Sequence, residues 1–205
     1  MSLYRLGWLG VFFAALAWSA WRPHDYGTWW LEVVPALVAL AVLVATRHSF
    51  PLTPLAYTLI LVHALILMVG GHYTYAEVPA GNWLQEWMGG TRNNYDKLGH
   101  LAQGFIPAII AREVLLRNHV IARRGWLGFI VVSICLAISA FYELIEWWVA
   151  LWSKEAAESF LGTQGYVWDT QSDMALALLG ACAALALLSG VHDRQIAALR
   201  KNLAL

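Results

Sequence analysis

Long apolar runs alternate with short polar segments along the whole chain. A helix that crosses a hydrocarbon core about 30 Å thick needs about 20 apolar residues, and six stretches come close to that length. They cover residues 3–21, 29–46, 55–73, 96–116, 126–152 and 169–190. We find no repeat, low-complexity segment or polar domain between them. The pattern therefore predicts an all-α membrane protein, a six-transmembrane-helix bundle that forms a single polytopic domain over 1–205.

The composition excludes other broad classes of protein. The 205 residues are 60% hydrophobic and 13% charged, whereas soluble proteins carry about 25% charged and 45–50% apolar residues. Thirteen Lys and Arg balance thirteen Asp and Glu, so we expect no nucleic-acid partner. Cys135 and Cys182 lie inside apolar runs and show no metal or disulfide spacing.

Positive charge is unevenly distributed between the two sets of loops, which predicts the orientation. Cytoplasmic segments are enriched in Lys and Arg. With a cytoplasmic N-terminus, the inner segments hold eight such residues: Arg5, Arg47, Arg117, Arg123, Arg124, Arg194, Arg200 and Lys201. The outer loops hold three: Arg22, Arg92 and Lys154. We therefore expect both termini in the cytoplasm and a first span that is retained rather than cleaved.

Ten of the twelve tryptophans lie at or near the outer span ends. They are Trp18, Trp21, Trp29, Trp30, Trp83, Trp87, Trp147, Trp148, Trp152 and Trp168. Aromatic rings favour the headgroup zone, where an apolar body meets a polar edge. The pattern predicts an interfacial belt, with a lipid- or sugar-binding groove as the alternative.

Polar residues gather at the same outer ends with helical spacing. Asp96 and His100 are four residues apart, Glu143 and Glu146 three, and Asp169 and Asp173 four, so each pair shares one helix face. His and carboxylate ligands from several helices are how bundles build metal sites. For Asp96 and Asp169, the alternative role is to cap the start of a helix.

The same clustering gives a candidate site. We expect a divalent metal whose ligands are Asp96, His100, Glu143, Glu146 and Asp173. The residues expected to carry out acid–base catalysis are Asp96, His100, Glu143 and Asp173. Those expected to contact the substrate are Arg92, Gln103, Tyr142 and Gln171. The pattern does not identify the metal. Residues 155–168 are long enough to form a lid over the mouth of the bundle.

The remaining polar groups have simpler interpretations. Glu113 and Arg117 are spaced for a structural ion pair, and His63 is expected to be a hydrogen-bonded core histidine. We expect His24, His48, His119 and His192 to be solvated loop residues. Gly180 and Ala184 would allow close helix packing, within the chain or in a homo-oligomer.

The stretch Arg92–Phe105 (RNNYDKLGHLAQGF), with 143–147 (ELIEW), 161–165 (LGTQG) and 168–174 (WDTQSDM), resembles the YjdF family of bacterial inner-membrane proteins. The resemblance covers essentially the whole chain. It implies a six-span protein of the inner membrane and implies no particular reaction.

A more distant similarity is to the VanZ-like membrane proteins. Their Asp-Lys-x-x-His element is matched by Asp96, Lys97 and His100. Their Glu-x-x-Gln element is matched at Glu143, but Glu146 stands where the family has Gln. Their Asp-x-x-x-Asn element is matched at Asp169, but Asp173 stands where the family has Asn. This similarity implies a role at the cell envelope.

Three functions remain open. The first is a membrane-embedded enzyme that acts on a lipid or envelope precursor at the outer leaflet. The second is an ion-coupled transporter, which needs polar residues continuing toward the cytoplasm, as Arg112 and Glu113 partly do. The third is a non-catalytic factor that binds lipid or another membrane protein.

Overall fold

The structure is a computed structural model that describes residues 3–90, 92–152 and 167–203, and these residues are helical without any strand. These described residues form seven α-helices: α1 Leu3–Ala20, α2 Tyr26–Thr46, α3 Pro54–Tyr73, α4 Pro79–Met88, α5 Tyr95–Arg117, α6 Leu127–Trp152 and α7 Asp169–Leu203. Two 3₁₀ turns lie at Tyr75–Glu77 and Arg124–Trp126. The all-α prediction is confirmed for these residues.

Local sequence signals explain where the early helices begin. The Asp25 carboxylate accepts a hydrogen bond from the Thr28 amide at 2.6 Å and caps α2. That bond lowers the pKa of Asp25. Thr53 caps α3 in the same way through the Ala56 amide, and Pro54 occupies the first helical position, where its missing N–H costs nothing.

Among the described residues, five helices are long and apolar enough to cross a membrane: α1, α2, α3, α6 and α7. The predicted sixth span corresponds to α5, which is long enough at 23 residues. It carries five charged residues, Asp96, Lys97, Arg112, Glu113 and Arg117, which lower its mean hydropathy. Eleven of its 23 residues are buried, so the neighbouring helices shield the polar residues of α5 from the surroundings of the bundle.

The polar helix α5 forms the centre of the bundle. It packs against α3, α6 and α7, while α1 and α2 pack against α3 around an apolar core that includes Phe12, Val33 and Met68. A second core joins α5, α6 and α7 through residues such as Ile109 and Val131.

The contact between α5 and α7 depends on two glycines. A Cβ added at Gly104 would lie 1.8 Å from the Ala177 carbonyl oxygen, and one at Gly180 would lie 2.2 Å from the Leu101 carbonyl oxygen. The two backbones therefore touch. The small residues of the last span serve packing within the chain at this position.

At one end of the bundle, the C-termini of α1, α3 and α6 lie beside the N-termini of α2, α5 and α7. We call this the cavity end. The indole of Trp29 donates to the Ser19 hydroxyl at 3.1 Å, and the His72 ring contacts the Ser19 carbonyl oxygen at 3.1 Å. These bonds join the ends of α1 and α3 to the start of α2.

Several expectations need correction. Helix α7 continues past residue 190 to Leu203, because the amphipathic sequence after the apolar run still packs on the bundle. His192 is therefore a fully buried helical residue, and its prediction as a solvated loop residue was wrong. Helix α4 was not predicted at all. The suggested lid over 155–168 lies almost wholly outside the described residues.

Candidate functional site

A cavity of about 220 Å³ opens among the helices at the cavity end. Its walls come from α2, α3, α5, α6, α7 and the Tyr75–Glu77 turn. The polar residues that line it are Thr28, Glu32, His63, Tyr75, Arg92, Asn93, Asp96, His100, Gln103, Tyr142, Glu146, Asp169 and Asp173. The predicted polar edges of α5, α6 and α7 therefore do meet around one space.

His100 lies at the centre of this polar cluster and is 5% exposed. Its Nε2 is 3.3 Å from Asp96 Oδ1 and 3.9 Å from Asp173 Oδ2. Its Nδ1 is 3.3 Å from Gln103 Oε1 and 3.9 Å from Glu143 Oε1. One imidazole thus faces carboxylates from three different helices, which is an arrangement that helical spacing alone cannot guarantee.

The chain before α5 is tied to the start of α7 by a two-pronged ion pair. Arg92 Nη1 and Nη2 donate to the two carboxylate oxygens of Asp169 at 2.6 and 2.9 Å. Hydrogen bonding to Asp169 raises the pKa of Arg92. The guanidinium that we expected to bind substrate is therefore engaged by a carboxylate, although it still forms part of the cavity wall.

Two sets of side chains could hold a metal ion. Ligand atoms of Asp96, His100 and Asp173 all lie within 4.8 Å of one another, and so do those of His100, Glu143 and Glu146. In addition, Glu143 Oε1 and Asp173 Oδ1 are buried without a hydrogen-bond partner among the residues that the structure describes. An unpaired buried polar atom is costly, and a divalent cation is the partner that carboxylate oxygens accept best. One imidazole with several carboxylates suits Zn²⁺, Mn²⁺ or Fe²⁺.

Glu32 and Tyr75 are cavity residues that were not among the predicted site residues. Glu32 on α2 is 6% exposed, and its Oε2 receives a hydrogen bond of 3.4 Å from the Tyr142 hydroxyl. The signal was a single carboxylate within the apolar run 29–46. Tyr75 forms another wall, and burial raises the pKa of its hydroxyl well above the ordinary value. Its ring lies where a Cβ at Gly70 or Gly99 would stand.

Other predicted members lie elsewhere or have a different environment. Gln171 is exposed and is not part of the cavity wall, because it lies on a different face of α7 from Asp169 and Asp173. Asp96 lies inside the first turn of α5 and is not its N-cap, which is Asn94; just before the helix, Asn93 Oδ1 accepts a hydrogen bond from the Tyr95 amide at 3.0 Å. His63 is part of the cavity lining.

A second buried polar cluster lies toward the opposite end of α5. Glu113 is fully buried and accepts hydrogen bonds from Arg117 at 2.8 Å, from the Thr53 amide at 3.0 Å and from the Thr53 hydroxyl at 2.7 Å. His192 Nε2 lies 3.0 Å from the same carboxylate. The predicted Glu113–Arg117 pair is present, and it belongs to a network that joins α3, α5 and α7.

Comparisons with known proteins agree with the fold. The family described as "Predicted membrane protein (DUF2238)" matches residues 4–194. The chain belongs to this family. The inner membrane protein YjdF of Escherichia coli (strain K12) is 55% identical over 173 residues, which cover 84% of this chain and 83% of the relative. No solved structure matches the chain.

Membership of the DUF2238 family and the similarity to YjdF confirm the family resemblance that was based on the sequence motifs. The chain is a multi-spanning protein of the inner membrane. The family description assigns no reaction, so the chemistry has to be argued from the cavity. Its residues offer metal ligands on α5, α6 and α7, and hydrogen-bonding groups on the facing wall.

Proposed function

We propose that this DUF2238 protein is a membrane-embedded, metal-dependent enzyme that acts on a lipid or cell-envelope precursor. The metal would be held by Asp96, His100, Glu143, Glu146 and Asp173. Such an ion supplies Lewis-acid polarisation of an ester or phosphoryl oxygen, or a water activated for attack. The substrate headgroup would occupy the cavity.

The observation that carries this proposal is the pair of buried carboxylate oxygens without partners beside His100. Glu143 is 9% exposed and Asp173 is 4% exposed, and each has one oxygen that accepts no hydrogen bond from the described residues. Charged groups inside a bilayer cost roughly 2.5–3.5 kcal/mol each on insertion scales. Several acidic groups placed around one imidazole are stable together when a cation balances them.

The other cavity residues have roles that follow from their positions. Gln103 contacts His100 Nδ1 and holds the ring in place. The Tyr142 hydroxyl, hydrogen-bonded to Glu32, lies on the wall across from α7 and would orient the substrate. Arg92 keeps the start of α7 in position through Asp169, and its positive charge at the cavity wall would favour a phosphate-bearing headgroup.

For the membrane arrangement, we propose α5 as the sixth span. A helix of 23 residues is about 34 Å long at 1.5 Å per residue, which matches the hydrocarbon core. Six spans and the excess of Lys and Arg at the opposite end support the proposal that both termini lie in the cytoplasm. The cavity would then open toward the outer leaflet.

The closed opposite end favours an enzyme over a transporter. Below the deepest cavity residues, His63 and Pro107, the interior continues as apolar side chains such as Ile60, Ala108 and Ile109. The Glu113 network is satisfied by its own partners. A proton or ion path would need a continuous polar route. Proteoliposomes that show flux driven by pH or potential would support transport instead.

Metal content of the detergent-purified protein tests the proposal. We expect near-stoichiometric metal in the wild type and loss of it in His100→Ala and in Asp173→Asn, which keeps the shape of the side chain. His24→Ala and Glu77→Gln are matched controls, because these residues form an exposed ion pair 3.5 Å apart away from the cavity.

The same variants separate metal binding from catalysis. If wild-type protein reloaded with Zn²⁺, Mn²⁺ or Fe²⁺ binds none of them, the metal-dependent proposal is wrong. If metal binds but cells with His100→Ala keep an unchanged lipid and envelope-precursor profile, the site is structural. A profile changed in both site variants and unchanged in both controls would support the enzyme.

A further inference from the structure

Helix α4 presents an apolar stripe that no other described part of the chain covers. Ala80, Trp83, Leu84 and Trp87 follow the spacing i, i+3, i+4, i+7, which places them on one helix face. Trp83 is 68% exposed and Trp87 is 75% exposed, and Leu84 between them is 39% exposed. Two indoles and a leucine facing outward on a ten-residue helix form an apolar patch.

The opposite face of α4 is firmly attached to the bundle. The Asn93 side-chain amide donates to the Val78 carbonyl at 2.9 Å and to Asn82 Oδ1 at 2.7 Å. Gly81 is buried against the same asparagine, and a Cβ there would lie 1.8 Å from Asn93 Oδ1. These contacts therefore fix the direction in which the apolar stripe faces.

The position of α4 indicates what its stripe faces. Ten residues span about 15 Å, which is too short to cross a bilayer. The helix lies between the end of α3 and the start of α5, at the end of the bundle where exposed indoles also mark the ends of the spans: Trp18, Trp21, Trp30, Trp147 and Trp148. Tryptophan is enriched at the headgroup level of membranes.

We infer that α4 is an interfacial helix that lies in the headgroup region at the cavity end, with its Ala80–Trp83–Leu84–Trp87 stripe embedded in the bilayer. The residues PAGNWLQEWM contain Glu86 and no Lys or Arg. The attraction is therefore apolar and aromatic, and it does not require anionic lipids.

This anchoring has a consequence for the cavity. Tyr75 and Ala76, just before α4, and Arg92 and Asn93, after it, all line the cavity. A helix fixed in the headgroup region holds both of these walls at the lipid surface. A headgroup can then reach the cavity from the bilayer without crossing bulk water. The anchoring itself does not depend on a metal or a reaction.

Spin-label accessibility in vesicles tests this inference. The starting protein carries Cys182→Ala, because Cys182 is exposed whereas Cys135 is buried. Nitroxides are attached at Leu84→Cys on the stripe and, as the control, at Glu86→Cys, which is also exposed but lies off it. Vesicles of phosphatidylcholine are used with and without phosphatidylglycerol.

We expect the Leu84 label to be accessible to oxygen and protected from a water-soluble nickel chelate. The Glu86 label should show the reverse, and both results should be the same in the two vesicles. Chelate access at both sites would place α4 in water and overturn the inference. Protection of the Leu84 label from both reagents would mean that protein covers the stripe, which also overturns it.

A second variant separates anchoring from folding. Trp83→Gln with Trp87→Gln removes the anchors, and their exposure means that the bundle loses little packing. The Leu84 label should then gain access to the chelate, while wild-type metal content is retained. An unchanged Leu84 label in this variant would contradict the role of the indoles. Loss of metal in His100→Ala has no bearing on this result.

Discussion

The close contact between α5 and α7 gives the sharpest test of how the fold holds the site. Gly104 on α5 faces the Ala177 carbonyl of α7. His100 lies one helical turn before Gly104, and Asp173 lies one turn before Ala177. The point of closest backbone approach is therefore adjacent to the His100–Asp173 pair. We predict that Gly104→Ala damages both the helix contact and the candidate metal site.

The size of the effect follows from the structure. A Cβ at position 104 would lie 1.8 Å from the Ala177 oxygen, whereas ordinary contact begins at 3.4 Å, so the helices must separate by about 1.6 Å. Overpacking of this kind costs about 1–3 kcal/mol. His100 Nε2 and Asp173 Oδ2 are 3.9 Å apart, so both could hold the proposed ion. Because metal–ligand bonds are about 2.0–2.2 Å long, a further separation of more than 1 Å would prevent this.

Thermal unfolding in detergent and metal content are the two measurements. Gly190→Ala is the matched control, because it lies on α7 and its Cβ would meet nothing within 4 Å. We expect the control to keep its metal and to gain up to about 1 kcal/mol from helix propensity. Gly104→Ala should lose metal and unfold at lower temperature. If the two variants behave alike, the helices are not in backbone contact and the reasoning about the site fails.

Three further predictions concern other contacts. Glu113→Ala leaves the Arg117 guanidinium without its carboxylate partner, so we expect a loss of about 3–5 kcal/mol of unfolding free energy, measured by denaturant titration in detergent. Arg92→Lys removes the two-pronged geometry toward Asp169, and a double-mutant cycle with Asp169→Asn should show non-additive effects on stability. Asp25→Ala should cost about 1 kcal/mol through loss of the helix cap. The pKa of Asp25 is lowered in the folded protein. The charged cap therefore contributes fully to stability above the ordinary pKa of 3.8, and this contribution is lost as pH falls through the folded pKa. Wild type and Asp25→Asn should accordingly differ in the pH dependence of the melting temperature.

Much of the fold is predictable because it depends on local sequence. Runs of apolar residues and the charges between them set the helices, and these signals need no knowledge of neighbours. The pairing of Asp96 with His100 is also local, since residues four apart share a helix face. Helix spacing alone therefore indicates which side chains could cooperate within one element.

The parts that were missed depend on tertiary placement. Glu32 looks like an isolated polar residue in an apolar run, and its importance emerges once Tyr142 on α6 lies beside it. His192 follows the predicted end of the last span, yet packing on α5 extends the helix and buries the ring against Glu113. The short helix α4 has too few residues for its period to be clear. The first two of these depend on residues distant in sequence.

Helix α5 shows why its polarity and its central position belong together. The charged residues that lower its hydropathy form the two buried clusters, with Asp96 and His100 at the cavity end and Glu113 at the other. A helix with these residues is unfavourable against lipid, so the apolar helices must surround it. Once surrounded, its carboxylates need partners, and Glu113 finds them in Thr53 at the start of α3 and in His192 on α7. The low hydropathy of α5 is therefore the same property that gives the bundle a polar interior.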